Sequence, residues 1–227
     1  MSADTTSSPT RDPRRWYLVG AIALVAVTIA AAVTITWIAV GTGDDALATT
    51  TAAEHLARIL DAAPIEVSSA DLPSCPAGPA DEVLGDLVEA LGGGELQRVL
   101  DEGEIAVRAV AVGDRTNRFV DCTAETDDGG PGAVGIIASP SPDAVRSELQ
   151  DEDDPTGGYT DLGSADGGEL VGRCERDDGD CSVLWYDDQL LVGIGGGGPA
   201  FADIGTDQLQ AVLLAALPTL VDGLARS

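Results

Sequence analysis

Residues 104–126 read EIAVRAVAV-GDRTN-RFVDCTAET. Two runs rich in β-branched and small apolar residues, Glu104 to Val112 and Arg118 to Thr126, flank a turn at Gly113-Asp114-Arg115-Thr116-Asn117. That combination predicts a β-hairpin. A second hairpin is predicted from Glu169 to Glu175 and Cys181 to Trp185, around Arg176-Asp177-Asp178-Gly179-Asp180. Between them Ala133 to Ala138 (AVGIIA) reads as a short buried strand, and a tight turn at Asp187-Asp188 leads into a strand from Gln189 to Ile194. Two hairpins argue against a mostly parallel sheet.

Helical patterns lie on either side. Thr51-Ala52-Ala53-Glu54 fits the S/T-x-x-E capping box and predicts a helix with Leu56, Ile59 and Leu60 on one face, ending before Pro64. A loop with Pro73, Pro76 and Pro79 follows. Val83, Leu84, Leu87, Val88 and Leu91 then share the apolar face of a helix from about Ala80 to Leu91, which Gly92-Gly93-Gly94 stops. Ser141-Pro142-Asp143 supplies an N-cap, a proline and an acid to open a helix reaching about Gln150. Gln150 to Gly168 is acidic and glycine-rich and reads as a loop. Asp207 to Leu224 reads as a terminal helix with Thr206 as cap, Leu209, Val212, Leu213, Ala216, Leu220 and Leu224 on its buried face, and Pro218 as a kink or weak point. The expected architecture is α+β, with a mainly antiparallel sheet of about five or six strands packed by helices in one domain, residues 51–227.

Composition restricts the partners. The chain has 39 acids, 12 basic residues, no lysine and a formal charge of −27. Beyond residue 40 there are 37 acids against 9 arginines, a net of −28. Such a domain repels nucleic acid phosphate and anionic lipid heads, and attracts cations or basic partners. Phe119, Tyr159, Trp185, Tyr186 and Phe201 are its few aromatic residues, so the core is expected to be aliphatic.

Trp16 to Val40, WYLVGAIALVAVTIAAAVTITWIAV, is a run of 25 residues without a charge. At about 1.5 Å per residue it spans roughly 37 Å, enough to cross a hydrocarbon core of about 30 Å. Trp16, Tyr17 and Trp37 mark its ends, and Arg11, Arg14 and Arg15 precede it. The positive-inside rule puts residues 1–15 in the cytoplasm as a disordered tail, and the rest outside after a linker at 41–50. The run is too long for a typical signal-peptide core of about 7–15 residues, which favours an uncleaved anchor in the cell membrane over cleavage near Ala46-Leu47-Ala48. Ala26 and Ala30, one turn apart, would permit close helix packing.

Cys75, Cys122, Cys174 and Cys181 then lie where disulfides persist. Four cysteines allow three pairings. Cys174 and Cys181 flank a polar turn on facing strands, which predicts a cross-strand bond and leaves Cys75 with Cys122. The longer closure is worth roughly 3–4 kcal/mol in the chain-entropy model. With no C-x2-C pair and no companion histidine, a metal site is disfavoured.

No catalytic, cofactor or metal residue emerges. His55 is the only histidine and reads as a surface residue near the membrane linker. Gly193-Ile194-Gly195-Gly196-Gly197-Gly198 matches G-x-G-x-x-G, but Pro199-Ala200-Phe201 follows where a dinucleotide site needs a helix to open, so it reads as a flexible connection. Asp151-Glu152-Asp153-Asp154 and Asp177-Asp178-Gly179-Asp180 lack EF-hand spacing and read as solvated acidic turns. Trp185-Tyr186 is the only aromatic pair available as a sugar platform, and Trp185 is expected in the core, which disfavours a hydrolase built on paired acids.

The arrangement is a cysteine before an early helix, one in the first hairpin, two near the last hairpin, and a terminal helix. It resembles actinobacterial envelope proteins that hold a small disulfide-bearing α+β domain outside the membrane: lipoproteins of unknown function, and the sensor domains of mycobacterial serine/threonine kinases. The chain has no kinase domain and no lipoprotein cysteine. The resemblance implies a binding or sensing role, with an envelope protein or a small ligand as partner, and transfers no functional residues. A structural or accessory subunit of an envelope complex is the alternative expectation.

Overall fold

Eight strands pair in the order β1-β2-β3-β4-β8-β7-β6-β5, every neighbour antiparallel. They are β1 (Ser69–Asp71), β2 (Glu104–Val112), β3 (Asn117–Glu125), β4 (Ala133–Ser139), β5 (Thr160–Ala165), β6 (Gly168–Glu175), β7 (Asp180–Tyr186) and β8 (Leu191–Gly197). Among the described residues four α-helices accompany them: α1 (Thr49–Ala62), α2 (Ala80–Ala90), α3 (Glu95–Glu102) and α4 (Thr206–Arg226). The computed structural model describes residues 47–63, 69–112, 117–127, 130–142, 158–175 and 179–226. The class is α+β as the hairpins require, but the sheet is larger than the five or six strands expected.

The sheet is two meanders joined at their inner edges. β2, β3 and β4 run up and down in sequence, as do β5, β6, β7 and β8, and β4 pairs with β8 in the middle. The extra strands are β1, a three-residue edge strand inside the proline-rich loop, and β5, inside the segment read as an acidic loop. β5 turns into β6 through Asp166 (φ 51°) and Gly167 (φ 82°), between paired Ala165 and Gly168. Positive φ at both central residues makes this an Asp-Gly hairpin turn, which matches the twist of the flanking strands. Residues 195–197 also belong to β8 rather than to a flexible connection.

Helix boundaries need two corrections. α1 begins at Thr49 with no side-chain cap hydrogen bond, so Thr51 and Glu54 lie inside the helix and the expected capping box is not used. α3 was not expected. Gly92, Gly93 and Gly94, all with positive φ, end α2 as predicted, but the chain re-enters a helix at once. Leu96 and Val99 are buried, while Arg98 bridges Glu95 (2.8 Å) and Glu102 (3.3 Å) on the solvent side. Pro218 lies inside α4, which continues to Arg226.

The core lies between the helices and one face of the sheet. Leu56 and Leu60 of α1, Leu84 and Val88 of α2, and Leu209, Leu213, Leu217 and Val221 of α4 are almost completely buried there. They meet Val120, Val134, Ile136, Val183, Trp185, Val192 and Ile194 from the central strands. Among the described residues α4 is the one helix long and apolar enough to cross a membrane. It stands at the C-terminal end, and its apolar residues are used in this core. The span expected at Trp16–Val40, the predicted helix over 143–150 and the acidic run 151–154 lie outside the described residues.

Both disulfides connect as expected. Cys75–Cys122 ties the segment before α2 to β3, and Cys174–Cys181 joins a register pair of β6 and β7. His55 is not a free surface residue. Its Nδ1–H donates to the Leu224 carbonyl at 2.9 Å, fastening α1 to the last turn of α4.

Candidate functional site

Side chains alternate across a strand, so residues next to the core positions face away from the helices. The registers align them in cross-strand rows. One row runs Thr123, Gly135, Gly195, Ser182, Arg173 over five strands. The row beside it on one side is Glu125, Ala133, Gly197, Asp180, Glu175, and on the other Asp121, Ile137, Gly193, Leu184, Val171. Four positions at the middle of the sheet therefore carry glycine where a side chain would stand. Above them lies a trough of about 480 Å³.

The glycines are needed because neighbours lean over them. A Cβ at Gly193 would meet the Leu184 side chain, one at Gly197 would meet the Asp180 carboxylate, and one at Gly135 would meet Thr123 Oγ1. On the opposite face a Cβ at Gly196 would strike the Phe201 ring. Gly193, Gly195 and Gly197, expected in a flexible connection, thus form part of the trough floor.

Charged groups form the rims. On the β3 side, Asp121 accepts a hydrogen bond from Thr123 Oγ1, and Arg108 Nη2 stands 3.8 Å from both Asp121 and Glu125. Burial pushes the Asp121 carboxyl above the ordinary carboxylate value, an effect that the Thr123 hydrogen bond and the Arg108 charge only partly offset and the Glu125 charge reinforces. Arg108 Nε is buried with no hydrogen-bond partner among the described residues. On the β6 side, Arg173 reaches Glu175 at 3.0 Å and lies over the Tyr159 ring, 5.6 Å from its centroid. Tyr159 and Ser182 share a hydrogen bond of 3.1 Å.

An apolar cluster adjoins the trough: Leu184, Tyr186 and Leu191, with Ile137, Tyr159 and Val171 packed on them. Tyr186 points to this face and donates to Glu169 at 2.8 Å, whereas Trp185 is fully buried in the helix-side core. Adjacent strand residues face opposite ways, so the two rings form no joint platform.

The site residues that sequence reasoning missed are Arg108, Asp121, Tyr159, Arg173 and Ser182. Arg108 and Asp121 were inside the predicted hairpin, where the alternation of the two strands marks them as one face. His55 and all four cysteines stand elsewhere: His55 at the α1–α4 contact, and the cysteines in disulfides. The trough hydroxyls of Thr123 and Ser182 thus have no histidine or thiol beside them. Among the described residues no group of three or more His, Cys, Asp or Glu is placed to hold a metal ion. Compared with protein-family models, curated proteins and solved structures, the chain matches none.

Proposed function

We propose that this chain is a binding or sensing domain of the cell envelope, anchored by Trp16–Val40 with its folded part outside the cytoplasm, and that the glycine-floored trough is its ligand site. The observation that carries the reading is the trough itself. The side chains of Leu184, Asp180 and Thr123 lean in over three of the four central glycines to shape the concavity, and these glycines weaken the strands relative to β-branched residues. Their removal of side chains makes a concavity of about 480 Å³, within the range of small-molecule sites, at roughly 300–1,000 Å³. Polar groups of both signs and an apolar cluster converge on it. The two disulfides suit an oxidising exterior. The separation of the trough hydroxyls from the only histidine supports a binding role over Ser-His or Thr-His nucleophilic chemistry.

Gly197→Val tests the reading. A Cβ at Gly197 meets Asp180, most closely its flexible carboxylate end, so the fold should tolerate the side chain while the trough fills. The full chain in detergent micelles is screened by thermal shift against neutral, anionic and cationic small molecules. At least one class should raise the melting temperature of the wild type saturably and leave the variant unmoved. If no class does so, or if the variant responds equally, the trough is not a ligand site.

A further inference from the structure

We infer that the trough takes a linear aliphatic di- or polyamine, with one ammonium group at Asp121 and Glu125, the other at Asp180, and the methylene chain lying along the glycine floor. This rests on the trough being the ligand site and adds the class of ligand.

The charge balance comes first. Three carboxylates line the trough: Asp121, Glu125 and Asp180. Arg173 also lines it, but its charge is matched by Glu175 at 3.0 Å, and its guanidinium covers Tyr159. Arg108 contributes one positive charge, shared at 3.8 Å between Asp121 and Glu125. Among the described residues two negative charges remain, one on each rim. The upward displacement of the Asp121 carboxyl agrees, since it marks an anion whose compensation is incomplete.

Spacing comes second. Asp121 is on β3 and Asp180 on β7, with β4 and β8 between them. Asp180 stands across from Glu125, three strand steps of about 4.8 Å or roughly 14 Å between Cα positions, while Asp121 lies four residues further along β3. Side chains leaning inward from both rims shorten that to the reach of an extended chain with amines at its ends. Between the rims stand Gly135, Gly195 and Gly193, with Ile137 and Leu184 beside them, a floor suited to methylene groups. A neutral or anionic ligand would leave the carboxylates uncompensated in a partly dehydrated site.

The competing explanation is that any polycation gathers around so acidic a protein. A control surface is present: Asp81, Glu82, Asp86 and Glu89 are the charged residues lining a second groove, along α2 and up to Gln97 of α3. The test uses the full chain in detergent micelles at 0.15 M NaCl, where charges more than about 8 Å apart are largely screened. Spermidine is titrated by calorimetry, with 1,8-octanediol, magnesium chloride and trilysine as companion probes. One saturable site for spermidine is expected, with affinity lowered at least tenfold by Asp121→Asn and by Asp180→Asn, and unchanged by Glu82→Gln with Asp86→Asn. Octanediol should not bind, and magnesium at equal charge should not displace spermidine.

Non-saturating heats, equal loss in the α2 variant, or displacement by magnesium would show counter-ion gathering alone and overturn the inference. Tighter binding of trilysine would assign the trough to a basic peptide instead and overturn it too. If spermidine fails while a neutral or anionic probe still gives a shift abolished by Gly197→Val, the ligand site stands and only its amine specificity is lost.

Discussion

The two faces of the sheet are built from the same strands and obey opposite rules. In β4, Val134 and Ile136 are buried under the helices, while Gly135 between them faces the trough. In β8, Val192 and Ile194 are buried and Gly193 and Gly195 face outward. Large aliphatic side chains are placed where helices cover them, and side chains are withheld where the sheet stays open. The helix-covered face therefore carries the main core, and the glycine-floored part of the open face is the one we propose as a ligand site. Substitutions of the helix-side core should unfold the chain, and those of the charged rim should leave it folded.

The largest effect belongs to Trp185→Ala. Trp185 is fully buried, its Nε1–H donates to the Ala165 carbonyl at 2.8 Å, and the absence of a side chain on Gly168 makes room for its ring. Removing so large a core side chain should cost about 3–5 kcal/mol, read as a fall in the urea midpoint at unchanged slope. A loss below about 1 kcal/mol would mean that the helix side is not the stabilising face. Next come the disulfides. Replacing Cys75 and Cys122 together by Ala should cost roughly 3–4 kcal/mol, and replacing Cys174 and Cys181 about 2–3, because the second pair closes a much shorter loop. The reverse order would show that native contacts, rather than chain entropy, set the difference.

Legibility in the sequence follows the same division. The helix-covered face was readable because its signals are strong: β-branched runs in β2 and β3, helical spacing of Leu and Val in α2 and α4, and cysteines placed to face each other. The open face was not, because its defining residue is glycine, which ordinarily punctuates strands. Residues 195–197 become strand through pairing with β4 on one side and β7 on the other, a tertiary effect invisible to local preference. β5 was hidden by acidic residues, although Asp166-Gly167 was a usable hairpin signal. α3 was hidden because the three glycines were read only as the stop of α2, while Leu96, Val99 and Leu100 have helical spacing. Trough residues such as Asp121 and Arg173 lie in regions read correctly as strand, but their partnership depends on strand order, which hairpins alone do not fix.

A smaller effect tests the closure of the helix layer. His55→Ala removes one hydrogen bond between α1 and the end of α4 and should cost about 1 kcal/mol. Amide exchange should accelerate in the last turn of α4, near Leu224, and hardly at all in β4 or β8. Uniform acceleration across the sheet would make His55 a global rather than a local fastener.

Asp121→Asn gives the smallest expected effect and the opposite sign. Burial raises the folded-state pKa of Asp121 above its unfolded value, so the folded chain binds more protons between those two values. The stabilisation this group contributes is fully present below the unfolded pKa and is lost as pH rises through the folded one. At neutral pH the ionised carboxylate is thus a net cost, reduced but not removed by Thr123 and Arg108. Asparagine keeps an oxygen that can accept from Thr123 and carries no charge to dehydrate. Urea unfolding of both proteins from pH 3 to pH 8 should show the variant slightly more stable at pH 7, with its advantage shrinking as pH falls through the carboxylate range. Parallel curves, or a less stable variant at pH 7, would mean that the rim is electrostatically complete without a ligand, and the open face would lose its distinction from any other acidic surface of the chain.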